Sequence, residues 1–66
     1  MNLKEQQYIV TLANYGNMTQ AAKKLGVTQP ALSSYLSSVE NGLGFPLFER
    51  TGRRLIPTYL GEVYLE

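Results

Sequence analysis

The sequence predicts a single, mainly α domain: three helices around one core, a small two-stranded β-hairpin, and the beginning of a further helix. Three observations predict it. Residues 18–36, MTQAAKKLGVTQPALSSYL, split into two helical runs at Gly26, with Thr28 and Pro30 placed to open the second. Residues 3–14 carry apolar side chains at Leu3, Ile9, Val10, Leu12 and Ala13 among polar ones, a stripe rather than an alternation. Two short runs, 48–50 and 53–56, flank Thr51-Gly52 as the arms of a hairpin flank its turn.

Length and composition bound the function. A chain of 66 residues makes one domain at most, near the lower limit for folding without staples. It has no cysteine, hence no disulfide and no thiolate metal site, and no histidine, the commonest general base and zinc ligand. Nor does it have a glycine-rich phosphate loop or carboxylates paired to act together, so neither an enzyme nor a metal or cofactor site is expected. No apolar run approaches the roughly twenty residues that span a bilayer, and MNLKEQQ lacks the apolar core of a signal peptide. The expectation is a cytoplasmic domain with no membrane partner.

Net charge is a weak guide. Six basic residues against five acidic give +1, far from the basicity of many nucleic-acid binders. Placement matters more than the sum. Lys23 and Lys24 form one cluster, Arg50, Arg53 and Arg54 another, and no basic residue lies from Gly26 to Glu49.

Taken in order, the first helix ends at Gly16 and Asn17, with Gln6 expected at the edge of its buried stripe and Tyr8 and Tyr15 at the core rim. Asn17 is placed to cap the second helix, Met18 to Leu25. Lys23 and Lys24 fall in its last turn, where a cation suits the helix dipole as well as it suits a phosphate. Gly26 follows where a helix stop wants a residue that tolerates positive φ. Ala22 is small enough for the next helix to cross closely, and Val27, Leu32 and Tyr35 pin the turn to the core. That spacing is the signature of a helix-turn-helix, whose second helix enters the major groove of DNA; a plain packed helical hairpin is the blander account.

The third helix is expected over 28–41, capped by Thr28 with Pro30 in its first turn. Ala31, Leu32, Tyr35, Leu36 and Val39 form its inward stripe. What remains is Gln29, Pro30, Ser33, Ser34, Ser37 and Ser38, small or neutral and without a long charged side chain. An ordinary solvated face would carry Lys and Glu, better helix formers than Ser. Gln29 offers an amide to an adenine edge, and Pro30 or Ala31 an apolar surface to a thymine methyl.

Gly42, Gly44 and Pro46 are expected to break this helix before the hairpin. Phe48 and Leu55 are its inward anchors, and Leu43, Leu47 and Phe48 are to dock it on the helices. Arg53 and Arg54 make a basic tip, suited to a phosphate or minor-groove contact. Arg50 has two readings, a phosphate contact or a structural pair with Glu40 or Glu49. Thr58 then caps a last segment with Tyr59, Leu60, Val63, Tyr64 and Leu65 on one side. Its pattern is still running at Glu66, as if a longer helix were cut short.

Helix, helix-turn-helix, basic hairpin and further helix describe a winged helix-turn-helix. From Leu3 to about Gly61 the chain resembles the N-terminal DNA-binding domain of LysR-type bacterial transcriptional regulators. The most specific matches are Ala21-Ala22, Gln29-Pro30-Ala31-Leu32-Ser33, Leu47-Phe48-Glu49-Arg50, and Thr58 with Gly61. The resemblance implies a DNA-binding domain over 1–57 and, over 58–66, the start of a linker helix through which the full protein forms dimers and tetramers. It also implies an effector-binding domain, with its small-molecule ligand, that is absent from these residues. For Thr28, Gln29, Pro30 and Ser33 it implies base or phosphate contacts, and for Arg53 a minor-groove role. The chain departs from the family's pattern at Ser34, where Arg is frequent, and at Tyr35, where another polar residue is usual. Asn17 and Met18 replace Ser and Phe, and Leu60 a usual Ala.

Two functions follow. In the first, the chain binds duplex DNA sequence-specifically, one recognition helix per half-site. Lys23, Lys24, Arg50 and Arg54 contact phosphates, Gln29, Pro30 and Ser33 read bases, and Thr28, Ser34 and Ser37 complete the face. In the second, it is a winged-helix protein–protein module that uses the serine face or the Tyr59, Leu60 and Val63 stripe. By itself the chain is expected to be a monomer or weak dimer.

Overall fold

The computed structural model describes residues 3–66, in the order α1 (Leu3–Tyr15), α2 (Met18–Leu25), α3 (Gln29–Leu43), β1 (Phe48–Thr51), β2 (Arg54–Pro57) and α4 (Tyr59–Leu65). Residues 1 and 2 of the expected domain lie outside the described residues. The architecture is the expected winged helix-turn-helix: three helices, one antiparallel hairpin and a further helix.

Helices α2, α3 and α4 each start where a short polar side chain satisfies an orphan amide. Asn17 Oδ1 accepts from the Gln20 amide at 2.9 Å, Thr28 Oγ1 from Ala31 at 3.2 Å, and Thr58 Oγ1 from Gly61 at 2.9 Å. The turn between α2 and α3 rests on Gly26, whose φ of 73° lies in the left-handed region. Its amide bonds the Lys23 carbonyl and that of Val27 the Ala22 carbonyl, the paired closure of a Schellman motif.

Ile9 and Leu12 of α1, Met18, Ala21 and Ala22 of α2, and Leu32, Leu36 and Val39 of α3 form one core with Leu47, Phe48 and Leu55. Tyr8, Ala13, Leu25, Val27, Tyr35, Phe45, Tyr64 and Leu65 pack around it, half-buried. A fully buried aliphatic side chain contributes roughly 1.5–3 kcal/mol. Burial of this set, rather than intrinsic propensity, therefore holds helices as short as α2.

Several expectations change. On α1, Leu3 and Val10 point to solvent and Gln6 is exposed rather than at a boundary, because the buried stripe is narrow and centres on Ile9 and Leu12. On α3, Ala31 is exposed, one residue off the row of Leu32, Leu36 and Val39. That helix also passes through Gly42 and stops at Leu43, where Gly44 at φ 84° caps it on the Glu40 carbonyl. Glycine costs a helix about 1 kcal/mol but does not end it unless the chain needs the left-handed turn there.

In the hairpin, Thr51 pairs with Arg54, so the two-residue turn is Gly52-Arg53 rather than Thr51-Gly52. Gly52 has φ 61°, placing the glycine first in the turn, where a II′ turn needs it. Phe48 and Leu55 face inward as expected, and Leu47 is fully buried, but Leu43 remains partly exposed and does not dock the hairpin. Leu47 and Phe48 dock it through the core as expected, and backbone bonds add to this. The Leu55 amide donates to the Gly16 carbonyl at 2.9 Å, and Asn17 Nδ2 donates to the Arg53 carbonyl at 3.2 Å.

Glu40 is not a partner for Arg50. Its Oε2 accepts from the Leu47 amide at 2.6 Å and the Phe48 amide at 3.2 Å, which fixes the start of the hairpin on the end of α3. Helix α4 does not present all its apolar residues on one side. Gly61 is buried, Tyr64 and Leu65 lean on the core, and Tyr59, Leu60 and Val63 face outward. Tyr64 Oη also donates to Glu5 Oε2 of α1 at 3.3 Å. Burial first, then the Glu5 carboxylate, raises the Tyr64 phenol above its ordinary pKa.

Two outcomes follow for stability. A Cβ at Gly61 would collide with the Leu47 carbonyl. Gly61→Ala is therefore expected to cost about 1–3 kcal/mol, or a fall of ~4–8 °C in Tm per kcal/mol for a domain of this size; thermal unfolding by circular dichroism checks it. Glu40→Ala leaves the buried Leu47 amide without its acceptor, and is expected to cost about 1.5–3 kcal/mol in urea unfolding. A midpoint unchanged by that substitution would show that water replaces the carboxylate.

Candidate nucleic-acid interface

The exposed surface of α3 follows from helical spacing. Pro30, Ser34, Ser37 and Asn41 recur at i, i+4, i+7 and i+11, and all are exposed. Gln29 and Ser33 form the neighbouring row on one side, and Thr28 stands exposed at the cap. This face has no ionised side chain.

The hairpin brings charge to its edge. Arg50 Nη1 donates to Ser33 Oγ at 2.9 Å, from β1 to α3. The structure thus settles the local partner of Arg50, which is the serine hydroxyl of the exposed helix rather than Glu40 or Glu49. Ser33 is half-buried, with its own O–H still able to donate. Beyond this bond lies a cleft of about 210 Å³, lined by Gln29 of α3, by Asn17, Met18 and Thr19 at the start of α2, and by Arg50, Gly52, Arg53, Arg54 and Leu55 of the hairpin. Arg53 sits in the hairpin turn, its carbonyl held by Asn17, so the tip is tied to the same corner that begins α2.

The folded chain therefore gathers Gln29, Ser33, Arg50, Arg53 and Arg54 around one cleft and one helix edge. Thr28, Pro30, Ser34 and Ser37 continue that helix face outside the cleft. Lys23 and Lys24 are exposed in the last turn of α2 and do not line the cleft. Sequence reasoning missed Thr19. Its signal was present, since a cap at Asn17 places Thr19 in the first helical turn, where amides face outward. Lys4 was missed as well. Its ammonium lies 5.4 Å from the ring centroids of both Tyr8 and Tyr35, and Lys4 with Tyr8 forms an i, i+4 pair readable from the sequence. Tyr35 is a neutral phenol at ordinary pH. Burial, then the Glu5 carboxylate and Tyr8, push its pKa upward.

Among the described residues no group of three or more His, Cys, Asp or Glu could hold a metal ion, and no helix is long and apolar enough to cross a membrane.

Known proteins share both the sequence and the shape. An uncharacterized HTH-type transcriptional regulator of Bacillus subtilis (strain 168), YybE, is 43% identical over 65 residues, which cover 98% of this chain and 22% of that protein. The Hca operon transcriptional activator HcaR of Escherichia coli (strain K12) is 41% identical over 66 residues, covering 100% of this chain and 22% of that protein. The chain thus spans about a fifth of the length of these relatives. The crystal structure of the CbnR_DBD–DNA complex matches with a TM-score of 0.90 at 35% identity, over 98% of this chain and 75% of that one. The BenM_DBD/benA site 1 DNA complex matches with a TM-score of 0.90 at 34% identity, over 98% and 73%. The family described as "Bacterial regulatory helix-turn-helix protein, lysR family" matches residues 3–62, and the chain belongs to that family.

Proposed function

We propose that this chain binds duplex DNA with sequence specificity, as the DNA-binding domain of a LysR-type transcriptional regulator. The observation that carries the reading is the uncharged, exposed α3 face bordered by the arginine-lined cleft. Such a face lets a helix approach base edges closely, and the arginines supply attraction to the backbone on either side of the bases. That two solved relatives of the same shape are DNA complexes supports it.

In this reading α3 enters the major groove. Gln29, Pro30 and Ser33 meet base edges, with Thr28, Ser34 and Ser37 beside them. Arg53 reaches toward the adjacent minor groove, and Arg50, Arg54, Lys23 and Lys24 meet phosphates. With one of its two lone pairs engaged by Arg50, Ser33 still has its O–H to donate toward a base or phosphate acceptor.

Residues 58–66 begin a linker helix. The outward row of Tyr59, Leu60 and Val63 supports pairing with a second copy, giving a homodimer or homotetramer in the full-length regulator. A small-molecule effector would bind a domain beyond these residues, and the place of work is the bacterial cytoplasm. The same apolar row also favours the second reading, a protein–protein module. Chemical-shift mapping with random duplex DNA separates the two. Perturbations at Ser33 and Arg53 support DNA binding, whereas perturbations confined to residues 59–65 support the module.

Selection of bound sequences from a random duplex pool is expected to return a defined half-site. Indifference to both sequence and salt would overturn the function. Because cations are few, the log–log salt slope is expected to be shallow, about 0.9 per phosphate neutralised. Gln29→Ala is expected to relax specificity at one base pair, costing about 1–3 kcal/mol there, read as the ratio of affinities for matched and mismatched duplexes. An equal loss on all sequences would make Gln29 a positioning contact.

A further inference from the structure

Five of the six basic residues lie in the two clusters visible in the sequence; the sixth, Lys4, stands alone in the first turn of α1. Folding carries it to α3. Its ammonium is 5.4 Å from the centroid of Tyr8 and 5.4 Å from that of Tyr35, while the two rings lie 4.9 Å apart at an interplanar angle of 59°. Both separations fall within the ~6 Å over which an aromatic face attracts a cation. One ring comes from α1 itself and the other from α3, so the amine is shared between two helices. Lys4 remains exposed, and its charge is open to an anion in solution. The neighbouring Glu5 is half-buried and accepts the Tyr64 hydroxyl.

The position on α3 gives this meaning. Pro30, Ser34, Ser37 and Asn41 form the middle row of its exposed face. Gln29 and Ser33 lie to one side, where Arg50 donates to Ser33. Ala31, Tyr35 and Ser38 lie to the other side, and Lys4 sits over Tyr35. The uncharged face is thus bracketed by an arginine on one flank and a lysine on the other. A helix in a major groove about 12 Å wide has a phosphate backbone along each flank.

We propose that Lys4, held against Tyr8 and Tyr35, is the phosphate-contacting cation of the groove flank opposite the β-hairpin. The inference rests on the DNA-binding reading above and adds a residue and a side of the groove to it. The aromatic pair acts as a platform that narrows the positions open to a long flexible side chain before DNA arrives, which lowers the ordering cost of the contact.

The test uses the 66-residue chain with two duplexes, one carrying the half-site recovered by selection and one of scrambled sequence. Affinities are measured between about 50 and 200 mM salt. Lys4→Gln is expected to lower the log–log slope by ~0.9 on both duplexes, so that its deficit against the unmodified chain shrinks about threefold across that range. Lys4→Arg is expected to keep the slope, as is Tyr35→Phe, which preserves the ring face. Ethylation interference gives the position: the phosphate released by Lys4→Gln should lie on the strand opposite the one released by Arg54→Gln.

An unchanged slope in Lys4→Gln overturns the proposal, as does a released phosphate on the same strand as that of Arg54. Thermal unfolding of each variant separates lost contact from lost fold, and Lys4→Arg retains the comparison if Lys4→Gln is unstable. Failure of the unmodified chain to bind any duplex would overturn the DNA-binding reading and this one together. Normal binding with an indifferent Lys4 would overturn this one alone.

Discussion

The backbone of Leu47 is where the separate parts of this domain are joined. Its amide donates to the Glu40 carboxylate of α3, its carbonyl accepts the Thr58 amide at the start of α4, and its side chain is fully buried among the three core helices. Gly61 lies against the same carbonyl, so close that only hydrogen fits between them. One residue outside any regular element therefore fixes three relations: recognition helix to hairpin, hairpin to last helix, and last helix to core. Buried backbone groups must be paired, and here both partners come from different elements, so the pairing becomes architecture. The strand that carries Arg50 begins directly after this anchored residue, beside the end of α3.

Much of this was legible in the sequence, and the reason is local chemistry. Asn17, Thr28 and Thr58 cap their helices through bonds that span three residues, and Gly26 takes a left-handed φ that few other residues tolerate. Such features need no knowledge of the fold. The exposure of Gln29, Pro30, Ser34 and Ser37 on one helix face was legible for a similar reason, since helical spacing alone sorts a face.

What the sequence did not reveal depends on distance along the chain. The Glu40 carboxylate spans seven residues to an amide, which no motif announces, and so it looked like a charge awaiting Arg50. The hairpin register slipped by one residue because Thr51-Gly52 and Gly52-Arg53 both contain the required glycine, and only the docking of Leu55 on Gly16 distinguishes them. Lys4 was invisible as part of the candidate site because Tyr35 meets it from thirty-one positions away. The split of α4 into an inward and an outward face follows from Gly61, whose missing side chain admits the close approach that turns Tyr59, Leu60 and Val63 away from the core.

Asn17 has a consequence for which substitutions its position tolerates. Its oxygen accepts from Gln20 while its nitrogen donates to the Arg53 carbonyl, so the amide has one satisfactory orientation and the two bonds exchange nothing if it turns over. An aspartate would keep the helix start yet set a negative oxygen against a carbonyl, loosening the arginine tip while leaving the helical scaffold whole. The grip on the tip and the integrity of the scaffold are thus separable at a single atom. A single substitution at this one site therefore changes how firmly the tip is held while the start of α2 stays in place.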